Sequence, residues 1–202
     1  MESVCAGNRT GGSNPLASAK IKMGNVLYGQ KTGGNVNEDI IELKGLTKRY
    51  GYGDTESFAL KNFDLTIKRG EFIMIMGPSG CGKTTLLNII GLLDRATRGE
   101  YLLNGEDVAG ISAHRQACLR AKKIGFVFQN FNLIQDLSIL ENVALPLVYT
   151  GYSKTARLKN ASSALKRFNL QEREYYFPYQ LSGGQQQRVA IARAIVGNPE
   201  II

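Results

Sequence analysis

The chain has 202 residues, 43% hydrophobic and 21% charged, a composition that excludes wholesale disorder and collagen-like repeats. Its net charge of +8 fits a polyanion partner, yet the Lys and Arg are scattered, in runs no longer than pairs such as Lys122-Lys123, and serve equally to solvate a surface. No segment nears the ~18 apolar residues of a membrane-spanning helix, and Cys5, Cys81 and Cys118 form neither a disulfide framework nor a zinc cluster, which fits a reducing compartment.

Residues 1–38 are rich in Gly, Asn, Ser and Lys and bury too little to offset their ordering entropy, so a flexible extension is expected. It lacks the apolar core of a secretory signal, and Met23 is an alternative start. From Ile40 the pattern changes. Ile40 to Lys44 and Phe63 to Ile67 alternate at strand spacing around the turn Tyr50-Gly51-Tyr52-Gly53-Asp54. Glu71 to Met76 is an apolar run of the kind buried on both faces of a parallel sheet. Thr84 to Leu93 has helical period, Ile124 to Phe128 reads as another buried strand, and Thr155–Leu170 and Gln185–Val196 as amphipathic helices. Strands joined by helices predict an α/β domain.

Gly77-Pro78-Ser79-Gly80-Cys81-Gly82-Lys83-Thr84 fits G-x-x-x-x-G-K-[ST] without a mismatch, between a strand and a helix. The glycines let successive backbone N–H groups face inward on phosphates, and the helix mouth adds its dipole. Lys83 brings one positive charge to the phosphates, Thr84 offers a hydroxyl to Mg²⁺, and Thr85 continues the first helical turn. This is a nucleoside-triphosphate site. About a hundred residues on, Leu181-Ser182-Gly183-Gly184-Gln185 precedes a helix that Ser182 can cap, a second mouth suited to an anion.

Together with Phe126-Val127-Phe128-Gln129, these motifs resemble the nucleotide-binding domain of an ABC (ATP-binding cassette) transporter over residues 40–202. Leu87 to Asp94, Asn130 to Leu133 and Glu141 to Leu147 resemble the branch serving macrolide efflux, lipoprotein release and peptide-antibiotic export. The resemblance implies a P-loop NTPase fold: an N-terminal β region, a central, mostly parallel sheet, and an inserted helical subdomain at about 130–180 within a domain of residues 39–202. It implies that Tyr50, with Tyr52 as rival, stacks on adenine. Gln129 is expected to reach Mg²⁺ and the attacking water, and Ser182, Gly183, Gly184 and Gln185 to meet ATP held by a second cassette in a head-to-tail dimer. The implied cofactors are ATP and Mg²⁺, and the implied partners are membrane permease subunits, with no nucleic acid. The place is the inner face of the cell membrane, peripheral on the cytoplasmic side.

The family's pattern continues after Glu200 with an apolar strand ending in Asp-Glu, and with a later histidine. Here the sequence reaches Ile201-Ile202. The expectation is therefore a fragment of a longer protein, lacking the C-terminal part of the sheet and its carboxylate base, and of doubtful ATPase activity as written. His114 lies in a polar segment and reads as a surface residue. Cys81, beside Lys83 at a helix mouth, is either a reactive thiol that ATP would protect or an inert filler. A soluble ABC ATPase acting on ribosomes or DNA, and a non-hydrolytic nucleotide-binding fragment, are the competing readings.

Overall fold

Alternating β-formers and polar residues build the first half of the chain. The structure, a computed structural model, describes residues 39–52 and 55–202 in full and residues 20–25 as backbone. Its contacts divide the chain into two compact units, residues 1–111 and 112–202.

In the first unit β2 (Asp39–Tyr50) is the hub, paired antiparallel with β3 (Ser57–Lys68) on one edge and β5 (Arg98–Leu103) on the other; β6 (Glu106–Asp107) closes the sheet. The register sets Leu43 opposite Leu65 and Tyr101, and Ile41 opposite Ile67 and Leu103, so one face collects the apolar residues. Helix α1 (Lys83–Ile90) buries Leu86, Ile89 and Ile90. The Tyr101 hydroxyl donates to Ile90 O at 2.7 Å, tying β5 to the end of α1. Gly99 is required where β5 crosses β2, because a Cβ there would lie 2.6 Å from Gly45 O.

Two expectations for the sheet are corrected. β4 (Glu71–Met76) pairs with β1 (Lys20–Asn25), and the pairing is antiparallel, Lys20 opposite Met76 through Asn25 opposite Glu71. Nor is β4 buried on both faces: Phe72, Met74 and Met76 are exposed, because cover on one side leaves alternate residues open. β1 falls within the expected extension, and the rest of residues 1–38 lies outside the described residues. The expected strand at Ile124–Phe128 is reduced to a single parallel bridge, Ile124 to Ile201, with Gly125 N–H donating to Ile201 O at 2.8 Å. Among the described residues no other parallel pairing occurs, so the central parallel sheet is not formed.

The second unit is helical: α2 (Ala113–Lys123), α3 (Ile139–Ala144), α4 (Lys154–Arg167) and α5 (Gly183–Ile195). Its core joins Ile139, Val143, Ala161, Leu165, Leu170, Leu181, Val189 and Ala192. Ser138 and Glu141 cap α3 reciprocally, and the fully buried Asn142 staples the preceding loop, accepting from Ile134 N–H at 2.8 Å and donating to the carbonyls of Ile134, Leu137 and Ser138. Both the oxygen and the nitrogen of that buried amide have partners, which makes its burial affordable.

Candidate functional site

The phosphate loop starts where β4 ends and closes into α1. Gly77, Pro78, Ser79 and Gly80 are exposed, Cys81 is buried, and Lys83 and Thr85 are half-buried with Thr84 exposed. Gly80 and Gly82 adopt left-handed conformations, φ 78° and 91°, giving the alternating backbone hand that makes an anion-binding nest. At Gly82 the close fit also forbids a side chain, since a Cβ would sit 2.4 Å from Ala59 O of β3. No side chain caps α1, so its first-turn donors are left for another acceptor. The Lys83 ammonium donates to Gly77 O at 2.8 Å and Pro78 O at 2.6 Å, and lies 3.5 Å from Cys81 Sγ. The loop thus gathers donors and one cation around a glycine backbone, the chemistry that fits a polyphosphate.

Tyr50 ends β2, 44% exposed, whereas Tyr52 is 89% exposed and its carbonyl accepts from the Thr55 N–H and hydroxyl. A polar cluster that the sequence did not disclose holds Tyr50. Its hydroxyl donates to Asp94 Oδ2 at 3.1 Å, and Lys48 Nζ donates to Asp94 Oδ1 at 2.7 Å and Arg95 O at 2.8 Å. The same ammonium stands 5.0 Å from the Tyr50 ring centre. Burial acts to raise the Asp94 carboxyl, but Lys48, the Arg95 N–H and Tyr50 outweigh it and hold the group below its ordinary range.

In the second unit Gln129 is exposed, just past the stacked rings of Phe126 and Phe128. The next residues are held tightly: Phe131 and Asn132 are both left-handed, φ 59° and 49°, and Arg193 of α5 donates to both carbonyls at 2.6 Å. A bulky residue with positive φ is an outlier, and here the guanidinium fixes it. Gly125 allows α5 to approach, since a Cβ there would lie 2.4 Å from Ala194 O. Ser182 is the N-cap residue of α5, and its N–H donates to Gln185 Oε1 at 2.9 Å. Ser182, Gly183 and Gly184 are exposed, and Cβ atoms added at either glycine would meet nothing within 4 Å. The site residues therefore fall in two groups, Tyr50 and Gly77–Thr85 in the first unit, Gln129 and Ser182–Gln185 in the second. His114 is exposed, as expected, with Cys118 Sγ 3.7 Å away.

The family model for ABC transporters matches residues 60–202. The chain belongs to the ABC transporter family. This cassette is 51% identical over 163 residues to an uncharacterized ABC transporter ATP-binding protein of Methanocaldococcus jannaschii, covering 81% of the chain and 73% of that relative. It is 47% identical to the macrolide export ATP-binding/permease protein MacB of Escherichia coli, over 81% of the chain but 25% of MacB. The chain thus spans about a quarter of the MacB-type relatives it matches. Among solved structures it is similar to a dimeric ATP-binding cassette in a post-hydrolysis state bound to ADP and Pi, with TM-score 0.69 and 48% identity over 79% of this chain and 70% of that one. The cassette therefore has the P-loop NTPase fold class and the family's ATP-binding role, in the branch that includes macrolide export. No helix among the described residues is long and apolar enough to cross a membrane.

Proposed function

We propose that this cassette binds MgATP and couples its binding and hydrolysis to export by separate membrane subunits. The observation that carries the reading is the phosphate loop: two left-handed glycines, an uncapped helix mouth and a lysine turned onto the loop's own carbonyls. ATP would exchange Lys83's carbonyl partners for phosphate oxygens, a gain because charge-assisted bonds to an anion are stronger. Thr84 and Gln129 are the residues that would hold Mg²⁺, which supplies charge neutralisation at the phosphates. Gly77 to Gly82 present backbone, Thr85 extends the helix mouth, and Tyr50 offers a stacking face to adenine. Ser182, Gly183 and Gly184, exposed at the start of α5, and the half-buried Gln185 would face a second cassette's ATP in a head-to-tail dimer.

For the membrane partner, the supporting feature is an apolar groove in the second unit. Ala144, Leu145, Val148 and Leu158 line it and Glu141, Lys154 and Arg157 rim it. The exposed Tyr149 and Tyr152 follow in the adjoining chain. Such a groove suits an amphipathic segment of a permease reaching in from the cytoplasmic side.

The test pairs two variants in the full protein with its membrane subunits. Lys83→Ala is expected to lower ATP affinity about 30- to 100-fold, the worth of a charged hydrogen-bond donor. Ser182→Arg is expected to bind ATP normally but to fail in ATP-dependent dimerisation and turnover. Normal turnover in Ser182→Arg would sink the head-to-tail site, and normal ATP affinity in Lys83→Ala would sink the phosphate loop.

A further inference from the structure

We infer that Asp94, acting with Lys48, is a positioning residue that sets the Tyr50 ring as the platform for the nucleobase. The inference rests on the reading of Tyr50 as the stacking residue. One carboxylate serves three donors: Oδ1 takes the Lys48 ammonium and the Arg95 N–H, both at 2.7 Å, and Oδ2 takes the Tyr50 hydroxyl at 3.1 Å. Tyr50 is thereby anchored at its para position while the ring stays 44% exposed. Lys48 stands over the ring, 5.0 Å from its centre, so a flat base would stack on the opposite face. A cation on one face also draws π density toward itself, which favours an electron-rich purine on the other.

The anchor sits at an informative place in the chain. α1 starts at the phosphate loop, and Asp94 stands in the turn that ends it. There Gly91, Leu93 and Asp94 donate back to Leu87 O and Asn88 O, and Leu92 is buried with φ 55°. The Tyr101 hydroxyl on Ile90 O braces the same end. Asp94 is therefore rigid with respect to the loop that holds the phosphates, and by holding Tyr50 it relates the base platform to that loop. Without it the Tyr50 ring, at the end of a strand, has free rotation about χ1 and χ2 to lose on binding.

The discriminating measurement is calorimetric binding of MgATP and, separately, of inorganic tripolyphosphate, which has no base to stack. Asp94→Ala is expected to weaken MgATP three- to tenfold and Tyr50→Phe about threefold, each leaving tripolyphosphate within twofold. Tyr50→Ala sets the scale, with a loss of about five- to a hundredfold if stacking on nucleic-acid bases is a guide. In the Tyr50→Ala background the added Asp94→Ala should change MgATP affinity by less than twofold, because the positioned ring is gone. Equal weakening of MgATP and tripolyphosphate, or an undiminished effect of Asp94→Ala without the Tyr50 ring, overturns the positioning role. Should Asp94→Ala fail to fold, Tyr50→Phe alone decides the question: parent-like MgATP affinity overturns the inference. If Tyr50→Ala itself binds MgATP like the parent, the platform reading falls and takes the inference with it; a loss there with none in Asp94→Ala removes the inference alone.

Discussion

The two helix mouths that carry the motifs are built in opposite ways. At α1 the glycines are structurally obligatory: Gly82 is left-handed and pressed against Ala59 O, and no side chain satisfies the first turn. At α5 the glycines face open space, and Gln185 returns a bond to the Ser182 N–H. The first mouth is a cradle shaped by its own backbone and short of acceptors. The second is a finished helix start with room left in front of it. A motif glycine can therefore mean a required conformation or a required absence of bulk, and only the first is costly to the fold when replaced.

The strongest way to break this contrast is to give both mouths a methyl group. Gly82→Ala should lower unfolding stability by about 3 kcal/mol or more and abolish MgATP binding, since a strained φ and a backbone clash add. Gly184→Ala should instead leave stability unchanged or raise it by up to ~1 kcal/mol. Thermal unfolding of the two variants side by side checks it; equal losses would mean that both glycines are conformational. Next in size is Arg193→Ala, which leaves the Phe131 and Asn132 carbonyls without their guanidinium. A loss of about 1–3 kcal/mol is expected, with faster amide exchange confined to the segment after Gln129. Gln185→Ala removes the return bond at the second mouth and should cost about 1 kcal/mol or less of unfolding stability in the isolated cassette. The smallest effect is acid dependence. Asp94 is held below its ordinary range, burial being outweighed by Lys48, Arg95 and Tyr50, and Glu141 by the Ser138 hydroxyl and N–H. A depressed folded pKa means stability present above about pH 4 and lost as pH falls through that range. Asp94→Asn should flatten this decline in a pH series of melting temperatures.

Much of the helical framework was legible in the sequence because apolar period and burial coincide: α4 buries Ala161 and Leu165, and α5 buries Val189 and Ala192. α2 left no such trace, since none of its residues is buried and its helix is set by the Ser112 cap and by Arg120, Lys122 and Lys123 in its last turn. α3 is six residues long, too short for a period, and is fixed by its Ser138 and Glu141 caps. β4 was recognisable as a strand but not in its partner, because an apolar run reports strand character without naming the neighbour. Both motif loops were legible as turns that open a helix, α1 and α5. The Lys48–Asp94 contact spans 46 positions, and nothing in local spacing announces a pair that only the meeting of β2 with the turn after α1 creates.

Helix α1 also acts as a ruler. Its eight residues at 1.5 Å each separate the phosphate loop from the turn that carries Asp94 by about 12 Å. One residue added or removed would shift that turn by about 1.5 Å and swing it roughly 100° around the helix axis, carrying the carboxylate away from Tyr50. Length variation between Lys83 and Asp94 is thus forbidden by geometry whatever residues are used. The exposed turn at Gly105 and the stretch around Gly110, where a Cβ would meet nothing, leave room for insertions.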